Sequence, residues 1–219
     1  MLEENKISFI ELLLSKQALK FGDFTLPSGN KTPYFFNIGE INSGEGLDLL
    51  SIYYSELIYS LFLCDLDNTK KNLPIIFGAA YKGIPIASTT VSKIYQSYKI
   101  SLDFACNRKE PKAHGEGGFT MGADLCNRDV IIVDDVIAEG ITLVKTYNFL
   151  EQYGARVKGL IVALDRKDPV PGYSCASEKI NENLKLPVHS IINFSDILSY
   201  TSNIDQYQHI HEKLISDKK

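Results

Sequence analysis

The sequence predicts an α/β protein: a parallel sheet flanked by helices, with a small N-terminal cap. Three observations predict it. Short apolar runs at 74–78, 101–107, 129–135, 157–165 and 188–193 alternate with helix-patterned segments, the pattern of a parallel sheet covered on both faces. The clearest run, Val130-Ile131-Ile132-Val133, is unbroken by polar residues, as a strand buried on both sides requires. Residues 1–70 lack the alternation, which sets them apart as a cap.

The elements follow in order. Ile7, Ile10, Leu13, Leu14 and Leu19 recur at helical spacing, and Ser8 with Glu11 suits a capping box, so a helix is expected over 5–20. Two aromatic-rich runs, 21–26 and 34–37, flank a Pro/Ser/Gly/Asn turn and read as a hairpin or a pair of extended segments. Leu47, Leu50, Tyr54, Leu57, Ile58 and Leu61 share one face of a helix over 46–63. A helix over 84–97 follows the first apolar run, residues 108–122 form a polar, Gly-rich loop, a helix ends near Gly154, and 196–216 is helical.

Composition bounds the function. The chain has 219 residues, 44% hydrophobic and 23% charged, which excludes long disorder, collagen and coiled coil. Its 23 basic against 27 acidic residues leave a net charge of -4, so nucleic acid and anionic membrane are not expected partners and any anion site is local. The opening MLEENK shows no secretory pattern, and the apolar runs are far too short to cross a bilayer; a cytoplasmic protein is expected. Cys64, Cys106, Cys126 and Cys175 form no C-x-x-C pair and are expected to be buried small hydrophobes in a reducing compartment. His189, His209 and His211 fit no motif and read as structural.

In sheets of this kind ligands bind beyond the carboxyl ends of the strands, which selects the segments after Phe77, Asn107 and Val133. The third is the most specific. Asp134 and Asp135 end a buried strand, and a loop containing Gly140 opens a helix whose free N–H groups favour phosphate. Carboxylates at that lip suit ribose hydroxyls or a Mg²⁺-bearing substrate; a lone pair of acids reads as a solvated strand end, but the strand–loop–helix setting favours the ligand site. Lys82 reads as an ordinary helix-start lysine, and the charges of 108–118 as a solvated loop, unless a fold joins them to an anion site. Of the consecutive Phe35 and Phe36 only one can face the core, leaving the other to stack on a flat base or to remain half-buried.

The segment from Val130 to Thr142 resembles the phosphoribosyl-pyrophosphate (PRPP) loop of type I phosphoribosyltransferases. Neither a Walker A pattern nor a G-x-G-x-x-G occurs in the chain. Phe21–Leu26, Ser28-Gly29 and Pro33–Asn37 resemble the N-terminal hood of the orotate phosphoribosyltransferase family, 80–87 its pyrophosphate loop, 107–118 its mobile catalytic loop, and Leu164-Asp165-Arg166 its base-binding strand end. The blocks stand in family order from about residue 7 to 200. The resemblance implies one type I phosphoribosyltransferase domain over 1–219, with a hood mainly in 1–45 that the C-terminal part completes and an α/β core over about 46–195. It implies transfer of phosphoribosyl from PRPP to orotate in pyrimidine synthesis, with Mg²⁺ as cofactor carried mainly by PRPP. A homodimer is implied, with the mobile loop acting on the partner's site. Catalysis falls to Lys109, Lys112, His114 and Asp135, and orotate to Phe35, Phe36, Ala138 and Arg166. PRPP falls to Tyr81, Lys82, Arg108, Lys109, Lys112, His114, Asp134, Asp135, Val136, Ile137, Ala138, Glu139, Gly140, Ile141 and Thr142.

The chain also departs from the family. Leu26-Pro27-Ser28-Gly29 stands where Leu-Lys-Ser-Gly is usual, with Lys31 nearby, and Ala138-Glu139-Gly140-Ile141 stands where Thr-Ala-Gly-Thr is usual. Two hydroxyls are lost and one carboxylate gained beside an anion site, while the backbone donors and Thr142 remain. Each lost hydrogen bond weakens phosphate binding by ~1–2 kcal/mol. The altered loop keeps a second reading open, a PRPP-binding regulatory protein on the same scaffold. A purine-base transferase is a third, against which the hood and Arg166 stand, because a guanidinium pairs with the carboxylate that orotate carries.

Overall fold

The computed structural model describes residues 2–25, 31–65, 73–108, 110 and 118–217. A six-stranded sheet forms the centre, in the order β5-β4-β3-β6-β7-β8, where β3 is Ile75–Gly78, β4 Asp103–Asn107, β5 Thr120–Gly122, β6 Asp129–Ile137, β7 Arg156–Asp165 and β8 Val188–Asn193. Every pairing is parallel except β4 with β5. A separate antiparallel hairpin, β1 (Leu19–Thr25) with β2 (Lys31–Phe36), confirms the two aromatic runs as partners.

Side-chain alternation along the strands divides the core in two. Ile76, Ile131, Val133, Ile161 and Ala163 face α1 (Glu4–Ser15), α2 (Gly44–Ile58) and α3 (Gly83–Tyr98), together with the hairpin and the C-terminal helices α6 (Phe194–Ser202) and α7 (Gln208–Asp217). Ile75, Phe77, Val130, Ile132, Leu160 and Val162 face α4 (Ile141–Gln152) and α5 (Ala176–Leu184). Both faces are therefore covered, as the unbroken apolar runs require. The hairpin packs on the C-terminal helices: Phe21 meets Tyr207 edge-on at 5.1 Å, and Lys213 binds Asp23 at 2.9 Å.

Several local expectations are corrected. The first helix stops at Ser15, because Gln17 adopts a left-handed φ of 58° and the N–H groups of Gln17 and Ala18 turn back to the carbonyls of Leu14 and Leu13. This is a Schellman-type ending with glutamine in the place usually held by glycine, so no glycine signals it. Ser8 and Glu11 make no capping box; Glu3 is the N-cap residue, and its side chain makes no cap bond. The second helix is α-helical only to Ile58 and ends in a π-helical turn, Tyr59–Leu63. The segment 108–122, read as loop throughout, ends in β5, and α5 had no counterpart in the reading of the sequence. The C-terminal stretch is two helices joined by a 3-10 turn, Asp205–Tyr207. Of the four cysteines, all free, only Cys106 and Cys175 are buried; Cys64 and Cys126 are exposed. Among the described residues no helix is long and apolar enough to cross a membrane.

Candidate active site

The strand order reverses between β3 and β6: the chain moves from β3 outward to β4, then returns to lay β6 on the other side of β3. Ligands bind at such a switch point, beyond the carboxyl ends of the two strands. The loops that emerge there are 79–82 and 138–140. Backbone bonds tie the first loop to β6 and close it on itself, Ala79 N–H to Val133 O at 3.2 Å and Gly83 N–H to Ala79 O at 2.9 Å. Asn107, at the end of β4, accepts from Ala80 N–H at 2.8 Å. A Cβ on Gly78 would lie 2.3 Å from Gly83 O, and one on Gly83 2.5 Å from Val133 O, so the crossing admits glycine alone. The Ala80–Tyr81 peptide is cis, Tyr81 projects into solvent, and Lys82 stands where α3 begins.

The strand-end carboxylates are buried, Asp134 with 8% and Asp135 with 6% of its surface exposed, which excludes the solvated strand end. Strand β6 runs on to Ile137, two residues past the expected end, and so carries both acids inside the sheet. Lys82 crosses from the other loop to bind Asp135 at 2.8 Å. Asp134 accepts from Asp135 N–H at 2.9 Å, and Tyr54, fully buried in α2, donates to Asp134 O at 2.7 Å. Burial pushes the Asp134 carboxyl up to about 7, and the charge of Asp135 adds to the rise against Lys82 and the Asp135 amide. Asp134 therefore carries a proton part of the time at neutral pH, with the Lys82 cation beside the pair.

After β6 the loop turns on Gly140, whose φ is 74°. Gly140 is the N-cap of α4 and offers no side chain to cap it; the first helical bond runs from Val144 N–H to Gly140 O. Ile141 and Thr142, in the first turn, are exposed, as is Glu139, while Ala138 is half-buried. An uncapped, exposed first turn beyond two acids is a site for an anion that also carries hydroxyls.

Arg166 follows β7 and is held beside this loop by its N–H, bonded to Ile137 O at 3.0 Å. Its guanidinium is buried, lies 4.7 Å over the ring of Tyr34, and donates through Nε to Asp168 at 2.7 Å. Tyr34 comes from β2, and the next residue, Phe35, is 38% exposed where Phe36 is 8%. On the β4 side of the switch point, Arg108 N–H bonds Phe119 O at 2.6 Å, and the β4–β5 ladder closes the ends of the loop between them. Among the described residues the Arg108 Nη1 atom is buried with no hydrogen-bond partner.

The phosphoribosyl transferase domain family matches residues 56–182. Orotate phosphoribosyltransferase of Acinetobacter baumannii (strain AB307-0294) is 42% identical over 193 residues, covering 88% of this chain and 85% of that protein. The chain belongs to the orotate phosphoribosyltransferase family. The relative from Photorhabdus laumondii is 41% identical over 89% of this chain and 87% of its own. The crystal structure of orotate phosphoribosyltransferase from Francisella tularensis matches with a TM-score of 0.80 at 34% identity, covering 95% of this chain and 96% of that one.

Within this family frame the residues sort clearly. The structure brings Tyr81, Lys82, Asp134, Asp135, Val136, Ile137, Ala138, Glu139, Gly140, Ile141 and Thr142 to the switch point and ties Arg166 to it through Ile137. Of the two phenylalanines expected at the base, Phe36 is buried in the core and its ring is not free to stack, while Phe35 is exposed on the hairpin beside Phe24. Arg108 stands at the β4 end. Lys109, Lys112 and His114, and the Pro27 substitution, lie outside the described residues. Sequence reasoning missed Tyr54, Asn107, Asp168 and the platform role of Tyr34. Only Asp168 carried a local signal, an acid two residues past a buried arginine.

Proposed function

We propose that this chain catalyses phosphoribosyl transfer from PRPP to orotate, giving orotidine 5′-phosphate and diphosphate, as an enzyme of pyrimidine biosynthesis. One observation carries the reading: a buried acid pair, bonded to Lys82 from the facing loop, sits between an uncapped helix start and a buried arginine. In this reading the first turn of α4 takes the phosphate, Asp134 and Asp135 take the ribose hydroxyls, and Lys82 with the 79–82 loop takes the diphosphate. Arg166 takes the carboxylate of orotate, and Phe35 and Ala138 take its faces. The transition state resembles an oxocarbenium ion as diphosphate leaves, so the site's task is to hold the leaving charge and exclude water.

In the same reading the Lys82–Asp135 pair is exchanged for contacts with substrate. Before substrate binds, each group neutralises the other; a diphosphate draws Lys82 away and leaves Asp135 to accept from a ribose hydroxyl. Arg108, Lys109, Lys112 and His114 close over the leaving group as a lid from the partner subunit of a homodimer, anchored by the β4–β5 stem. Mg²⁺ would be carried mainly by PRPP; the carboxylate oxygens of Asp134 and Asp135 are ligands of the kind it takes, and there it would neutralise charge on the diphosphate. The hairpin with the C-terminal helices forms the hood, the rest of the single domain is the core, and the enzyme works in the cytoplasm. The experiment is incubation of the purified protein with PRPP, Mg²⁺ and orotate, following the loss of orotate absorbance. Turnover that requires the carboxylate, absent with uracil, is expected. No turnover of orotate, or equal turnover of uracil, refutes the reading.

A further inference from the structure

We propose that Asp168 and Tyr34 are positioning residues for Arg166, and that the three together read the carboxylate of the base. The proposal rests on the orotate reading above and deepens it. A buried guanidinium needs both a counter-charge and a fixed orientation. Asp168 supplies the first, accepting from Nε at 2.7 Å. Tyr34 supplies a flat face, 4.7 Å beneath the guanidinium carbon and itself completely buried. The Nε bond stops rotation of the planar group about its stem, and the ring stops tilting. The backbone bond from Arg166 to Ile137 then ties that orientation to the loop that leads to Gly140. The three residues join three parts of the chain: the end of β7, the turn after it, and the hairpin. Phe35, next to Tyr34 on β2, points to the opposite face of the hairpin, so the platform under the arginine comes from Tyr34 alone. Recognition by a planar fork depends on angle as much as on charge, so a guanidinium free to swing binds a carboxylate less selectively.

The test is steady-state kinetics of Asp168→Ala, Asp168→Glu and Tyr34→Leu, with both substrates varied and each variant's thermal midpoint measured. Asp168→Ala should raise KM for orotate about tenfold, as expected for losing one charge-assisted bond, with KM for PRPP within about twofold of wild type. Asp168→Glu, which keeps the carboxylate, should recover part of that loss, and Tyr34→Leu should raise KM for orotate in the same direction. The preference for orotate over uracil should narrow in both impaired variants. An equal rise in both KM values, or an unchanged KM for orotate in a folded Asp168→Ala protein, overturns the proposal and leaves the orotate reading standing. Lack of orotate turnover by the wild-type protein removes both.

Discussion

Asp134 is the residue whose environment makes the sharpest demand. Its carboxyl, driven up to about 7 chiefly by burial, binds a proton in the folded protein over a range where the unfolded chain has already released it. The sign follows: its contribution to stability is fully present below the unfolded value near 4 and is lost as pH rises through about 7. Asp134→Asn, which is neutral throughout, should therefore raise the thermal midpoint more at pH 8 than at pH 5. Equal shifts at the two pH values would show that Asp134 titrates normally. Lys82 tests the other half of the cluster. Lys82→Met removes the partner of Asp135 and the cation offered to diphosphate, so kcat/KM for PRPP should fall by about 10²–10³, the range for one preorganised charge. A loss below threefold in initial-rate kinetics would place the diphosphate elsewhere.

At the scale of elements, the site is made by two loops that approach more closely than side chains allow. Gly83→Ala would set a methyl group 2.5 Å from Val133 O, and the backbone carbonyl cannot withdraw without breaking the β3–β6 ladder. It should cost about 3 kcal/mol by urea denaturation, at the upper end for overpacking. A loss under 1 kcal/mol would mean the crossing is softer than its geometry. The loop that opens α4 tests the departures from the family. Ala138→Thr with Ile141→Thr restores two hydroxyls at half-buried and exposed positions, where neither meets a packed core. Calorimetry should show PRPP binding tighter by ~1–2 kcal/mol for each hydrogen bond regained. Unchanged binding would mean that Glu139 and Thr142 have re-optimised the loop.

At the scale of the whole molecule the proposal of a homodimer can be tested. The segment 108–118 is polar, rich in glycine and long enough to reach away from its own core, and its stem is closed by β5. If it serves the partner's site, Lys109→Ala and Asp135→Asn proteins, each inactive, should complement one another. A random mixture holds about half heterodimers, each with one intact site, so about a quarter of wild-type activity should return. Confirmed subunit exchange without recovered activity would place the loop on its own subunit's site.

How much of this was legible beforehand follows from the range of the forces involved. Periodicity and punctuation act locally, and they were enough for the parallel sheet, the paired aromatic runs, the loops at the strand ends and the rule that only one of Phe35 and Phe36 faces the core, because successive residues of a strand present opposite faces; which of the two is exposed was decided by packing. Elements with weak local signals escaped. Strand β5 is three residues that exist by pairing with β4, and α5 carries only Ile180 and Leu184 as large apolar residues in a polar run. The site followed the same division. Asp134, Asp135 and Gly140 were readable as a strand end and a helix start. The burial of the acids, the bond from Lys82 to Asp135 and the ring of Tyr34 beneath Arg166 were not. These join residues 53 and more positions apart. Strand order alone decides which loops meet at the switch point, and that order is set by how the whole core packs rather than by any segment within it.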